Sequence, residues 1–245
     1  MQCRMWLFTS LLFVAMVSGI DMAQANQQDR SRGGIGTDRT RYIYPEGARQ
    51  VGVTLRQDAG ENYLVQAWVR GLDPVTGTVL NESTPFFLKQ PLVKAMPDGR
   101  YGFQVIKVKP VPVKDRESVY LLSFKLIPAE KETGVSTSRA NVVMTYNVKL
   151  FYRPEALKNG KVASASKELR FFRTGDALKV SNPTPYWITF YSLQVGGHAL
   201  SENVLKRMVP PFGEVVYSLP SVGSSVIWQI IDENGDRSTP VTSSI

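Results

Sequence analysis

Past residue 25 the chain has no run of apolar residues with sustained helical spacing; its apolar residues instead alternate with polar ones. Val51, Val53 and Leu55 set the pattern, and YLVQAWV at 63–69, YGFQVIKV at 101–108 and SVYLLSFKL at 118–126 continue it, separated by turn-rich stretches such as MPDG. The second half repeats the style with ELRFF at 168–172, a turn at Thr174-Gly175-Asp176, and then ALKVSN, YWITFYSLQV, EVVYSLP and SVIWQII. A period of two puts successive side chains on opposite faces, the signature of a half-buried strand. Many short strands divided by turns predict an all-β chain of antiparallel sandwiches, and 245 residues suit two sandwiches of about 100 residues each.

One segment is longer than a sandwich needs. ANVVMTYNVKLFYRPE, residues 140–155, places Val142, Met144, Tyr146, Val148, Leu150 and Tyr152 on one parity and Thr145, Asn147 and Lys149 on the other. At about 3.3 Å per residue, a strand from Ala140 to Tyr152 reaches about 43 Å, roughly twice the usual length. The pattern leaves two uses open for the surplus apolar face: the chain's own core, or a groove in another molecule.

The ends and the seam divide the chain. Arg4 precedes the apolar run MWLFTSLLFVAMVSGI, and Ala23-Gln24-Ala25 follows as a small-x-small pattern ahead of Asn26. This predicts a secretory signal over 1–25, since about sixteen interrupted apolar residues fall short of the roughly twenty a membrane span needs. No later segment is expected to cross a membrane. Residues 26–36, NQQDRSRGGIG, read as a flexible leader. From Arg153 to Lys167, RPEALKNGKVASASK, alternation gives way to Pro, Gly, Ser and Lys. A polar seam of this kind predicts a linker, with one domain over 37–154 and a second over 155–245.

The formal charge is +8, and losing Arg4 and Asp21 with the signal leaves it unchanged. Positive charge suits nucleic acid, an anionic membrane, an acidic protein or a carboxylate group. Export and the lack of a basic stripe interleaved with aromatics argue against nucleic acid. Cys3, the one cysteine, leaves with the signal, so no disulfide, thiol nucleophile or thiolate metal ligand is expected. His198, the one histidine, lies in QVGGHALSEN, a turn between strands, which offers no serine triad or histidine metal cluster. No spacing marks a pair of catalytic carboxylates, so the chain is read as a non-enzyme without cofactor or metal.

Six strings in order, DRTRYIYPEG at 38–47, YLVQAWV at 63–69, DRESVYLLSFKLIP at 115–128, NVKLFYRP at 147–154, NPTPYWITF at 182–190 and WQIIDENG at 228–235, resemble the periplasmic chaperones of the chaperone/usher pathway. The twelve residues from Pro128 to Arg139, without flanking cysteines, are similar to the short-loop subgroup. The resemblance implies two immunoglobulin-like sandwiches set at an angle around a cleft. It implies binding of pilus or fimbrial subunits by donor-strand complementation and delivery to an outer-membrane usher. Ala140, Val142 and Met144 would enter the subunit groove, and Arg41 and Lys149 would anchor the subunit's C-terminal carboxylate. Glu117, Arg153 and Asp232 would form an ion network between the domains. An uncovered strand edge is a template for pairing, so self-association of the free protein is a further expectation. The alternative is an exported immunoglobulin-like fibre subunit or adhesin.

Overall fold

The computed structural model describes residues 34–73, 76–129, 142–219 and 223–245. The signal segment, most of the leader and Ala140 lie outside the described residues.

The first sandwich is built from β1 (Ile35–Thr37), β2 (Arg41–Pro45), β3 (Gln50–Gln57), β4 (Tyr63–Leu72), β5 (Val79–Leu80), β6 (Phe86–Lys89), β7 (Leu92–Ala95), β8 (Gly99–Lys107), β9 (Ser118–Pro128) and β10 (Met144–Arg153). One sheet has the order β1-β3-β8-β6; the other runs β2-β10-β9-β4-β5, with β7 also on β4. The β10 and β2 strands pair in parallel, whereas β10 and β9 are antiparallel. Leu55, Phe103 and Val105 from the first sheet meet Val65, Leu122, Phe124, Leu150 and Tyr152 from the second. Phe103 and Phe124 cross edge to face with ring centroids 5.4 Å apart, an arrangement aromatic quadrupoles favour.

The second sandwich contains β11 (Arg170–Thr174), β12 (Ala177–Asn182), β13 (Phe190–Val195), β14 (His198–Ala199), β15 (Gly213–Ser218), β16 (Ser225–Ile230) and β17 (Val241–Ser244). Its sheets have the orders β11-β12-β15 and β14-β13-β16-β17. Trp228 centres the core, its ring 4.6 Å from that of Phe171. His198 is exposed on β14, directly after Gly196 and Gly197.

Two segments differ from the expected pattern for identifiable reasons. YWITF does not open as a regular strand, and β13 begins only at Phe190. Pro183 and Pro185 have no N–H for a ladder, and the Asn182 amide instead donates to the carbonyls of Tyr186 at 2.8 Å and Pro210 at 3.0 Å. The seam is ordered, with α1 (Val162–Ala165) between two short 3₁₀ turns. Val162 and Ala165 lie three residues apart, on one helix face, and both join the second core. The Trp228 indole N–H donates to the Ser166 carbonyl at 3.2 Å.

The two sandwiches meet through a small apolar cluster: Val119 and Phe151 from the first pack with Trp187 and Met208 from the second. Nearby, Gly235 has a φ of 92°, and a Cβ there would collide with the Thr40 hydroxyl. The turn after β16 therefore approaches the first domain as closely as glycine permits.

Candidate functional site

The β10 strand changes environment along its length. Tyr146 packs against the first core, and Val148, Leu150 and Tyr152 are buried within it. Val142 and Met144, which share their parity, are 66% and 46% exposed. The ladder with β9 starts at Met144 opposite Leu126, so the strand has 10 residues and is shorter than the alternation suggests. Continuing the register would set Val142 opposite Pro128, which has no N–H to offer. On the opposite edge, β2 pairs with β10 only from Lys149 to Arg153. From Met144 to Val148 that edge has no strand beside it among the described residues.

Arg41 and Lys149 lie at the foot of this open edge, as register partners across β2 and β10. Arg41 is only 4% exposed. It donates from Nη1 to the Ile231 carbonyl at 2.9 Å, and its guanidinium carbon lies 5.3 Å from the Phe151 ring centroid. Its buried Nε has no hydrogen-bond partner among the described residues. Burial lowers its pKa to about 10, against the opposing pull of Glu117, Asp232 and Glu233. Burial, followed by the charge of Arg41, lowers Lys149 further, to about 8. Lys149 lines a cleft of about 400 Å³ between the sandwiches, facing Met208 and Lys206 across it. A half-buried ammonium beside a second cation is poised to accept an anion that replaces its lost hydration.

The ion network joins Glu117 and Arg153. Glu117 is 2% exposed; its Oε1 accepts from Arg153 Nε at 2.8 Å and lies 2.8 Å from Nη2 in the ion pair. Its Oε2 accepts the Trp187 backbone N–H at 3.1 Å, and the Trp187 indole donates to the Glu117 carbonyl at 3.0 Å. Burial pushes the Glu117 carboxyl upward, while Arg153 and the Trp187 N–H pull the other way. Among the described residues, the second-domain carboxylate within ion-pair distance of Arg153 is Glu233, whereas the expected trio has Asp232. Glu233 Oε1 lies 3.4 Å from Arg153 Nη2 and accepts the Val162 N–H at 2.6 Å. Asp232 Oδ1 accepts the N–H groups of Asn234 and Asp236, both at 2.9 Å. A short aspartate side chain folds back onto its own turn, and the longer glutamate beside it reaches across. Trp187 also escaped the sequence reading; its only signal was its place in NPTPYWITF.

Residues 34–158 match the pili and flagellar-assembly chaperone PapD N-terminal domain, and residues 164–242 match the pili assembly chaperone PapD C-terminal domain. The chain is 31% identical over 237 residues to a probable fimbrial chaperone, LpfB, of Escherichia coli O157:H7, covering 95% of this chain and 96% of LpfB. It is 30% identical over 230 residues to the chaperone protein FimC of Escherichia coli K12, covering 93% and 91% of the two chains. Among solved structures, it resembles a chain of the Salmonella enterica SafA pilin and SafB chaperone complex, with a TM-score of 0.77, 26% identity and coverage of 86% and 96%. The Escherichia coli chaperone DraB gives a TM-score of 0.74 at 25% identity, with coverage of 86% and 98%. With both halves matched in order, the chain belongs to the PapD family of pilus-assembly chaperones.

Proposed function

We propose that this protein is a periplasmic chaperone that captures pilus subunits by donor-strand complementation, keeps them from aggregating and delivers them to an outer-membrane usher. The observation that carries this reading is the open edge of β10, with exposed Val142 and Met144 above Lys149 and Arg41. A subunit sandwich lacking its last strand exposes core and unpaired backbone groups, and both promote aggregation. Adding β10 supplies the missing ladder, while Val142, Met144 and Ala140, the last outside the described residues, fill the groove. Valine and methionine each contribute roughly 1.5–3 kcal/mol before ordering costs.

The subunit's C-terminal carboxylate would sit on Lys149 and Arg41, where charge-assisted hydrogen bonds fix the register of the added strand. It would also offer an acceptor near the unpartnered Arg41 Nε. In this reading, Glu117, Arg153 and Glu233 hold the domains so that the cleft keeps its width. Membership of a chaperone family sets aside the fibre-subunit or adhesin alternative. No helix among the described residues is long and apolar enough to cross a membrane, and the signal segment supplies the argument for the periplasm.

The test is a periplasmic pull-down of the tagged protein beside its Lys149→Ala variant, with co-eluting proteins identified by mass. Small sandwich subunits should elute with the wild type and be lost from the variant. Recovery of no subunit with wild type, from cells expressing fimbriae, would contradict the reading.

A further inference from the structure

The sheet face above the anchor has an unbalanced charge. Strands β2, β4, β7, β9 and β10 contain no aspartate or glutamate. Their residues that alternate with the core positions Val65, Ala67, Ala95, Phe124 and Leu126 point away from the first core. Arg70, Lys94 and Lys125 lie on this outer face, together with Lys149 and Arg41. Arg70 pairs with Leu121, which pairs with Lys149, so one row crosses the sheet from Arg70 to Arg41. Lys125 stands between Gln66 and Thr145, and Lys94 lies opposite Leu64 toward the far end. Arg70, Lys94 and Lys125 form no ion pair among the described residues; Arg70 stacks on Trp68, 4.5 Å from the ring centroid.

Among the described residues, the carboxylates stand off these five strands of the sheet, and Asp73 lines the cleft beside Lys149. Glu61 and Asp73 flank β4 at its two ends, and Asp73 accepts the Thr76 N–H at 2.9 Å. Glu82 packs beside Gly71 and acts on Tyr120, whose side chain packs against the first core. Glu117 and Glu233 are committed to Arg153. The opposite wall of the cleft adds Lys206 and Arg207.

We propose that the body of the captured subunit presents an acidic surface to this sheet, and that Arg70, Lys94 and Lys125 speed its capture by electrostatic steering. The inference rests on the proposed function, but it concerns the partner's surface and not its C-terminal carboxylate. A surface on which one sign of charge predominates raises association rates for the opposite sign, and that gain falls as salt shortens the screening length.

The test uses subunit recovered under denaturant from the co-purified complex, mixed by stopped flow with the intact chaperone at rising salt. The wild-type capture rate should fall about tenfold between about 25 mM and about 500 mM salt. The Arg70→Gln/Lys94→Gln/Lys125→Gln variant, checked for an unchanged melting profile, should start several-fold slower and show a flatter salt dependence. Single substitutions serve if the triple variant folds poorly. A wild-type rate indifferent to salt, with complex still forming, would overturn this inference and leave the proposed function standing. Absence of any complex with wild type would remove both. Salt-independent capture together with charge-dependent binding to phosphatidylglycerol vesicles would assign the face to a membrane and also overturn it.

Discussion

Lys149 stands opposite Arg41 in the parallel ladder of β10 and β2, and neither of these two adjacent cations forms an ion pair among the described residues. The lowered pKa of Lys149, about 8, gives this arrangement a measurable pH signature. Between about pH 8 and its ordinary value of 10.5, the unfolded chain binds the proton more tightly than the folded chain. Stability of the free protein therefore rises with pH through that window. Lys149→Met should remove this slope and raise the melting temperature at neutral pH by about 2–4 °C, as read by calorimetry across pH.

Subunit binding has the opposite sign. A bound carboxylate favours the charged lysine, so affinity should be constant below about pH 8 and fall as pH rises past it. Calorimetric titration in buffers of different ionisation enthalpy should show proton uptake on binding near that pH.

The buried pair between Glu117 and Arg153 predicts a large stability loss from either partner alone. Glu117→Ala leaves a buried guanidinium short of its acceptor and strips the Trp187 N–H of its own. Such a change costs about 3–5 kcal/mol, measurable by urea unfolding. Double-mutant cycles should find coupling between Arg153 and Glu233 and none between Arg153 and Asp232.

Along β10, stability and binding should separate. Val142→Asp and Met144→Asp touch exposed positions and should change stability by less than about 0.5 kcal/mol, yet they should abolish subunit capture in the pull-down. Leu150→Ala, in the core, should cost about 2–5 kcal/mol.

Gly235→Ala should destabilise by more than about 1 kcal/mol, because alanine disfavours the φ of 92° and its Cβ meets Thr40. Urea unfolding checks the loss, and Gly197→Ala, at a φ of 82° with open space around it, separates the backbone cost from the collision.

Much of this architecture is legible in the sequence because period-two alternation reports which strand face is buried. YLVQAWV and SVYLLSFKL became β4 and β9 at nearly their expected bounds. Alternation could not report where burial ends along β10, since Met144 and Val148 share a parity and differ in exposure. The short helix inside the seam was not legible, because its buried residues, Val162 and Ala165, stand singly among Lys, Gly and Ser. The choice between Asp232 and Glu233 depended on which carboxylate the local turn consumes, a matter of turn geometry that composition does not carry. Trp187 acts through its backbone N–H as well as its ring, and a backbone donor leaves no mark in the residue type.

The most direct measurement is amide hydrogen exchange over residues 142–148 in the free protein and in the complex with subunit. The account predicts rapid exchange when free, since one edge is open, and strong protection in the complex, with little change over residues 149–153. Unchanged exchange over residues 142–148 in a complex that has formed would contradict the claim that β10 supplies the missing strand.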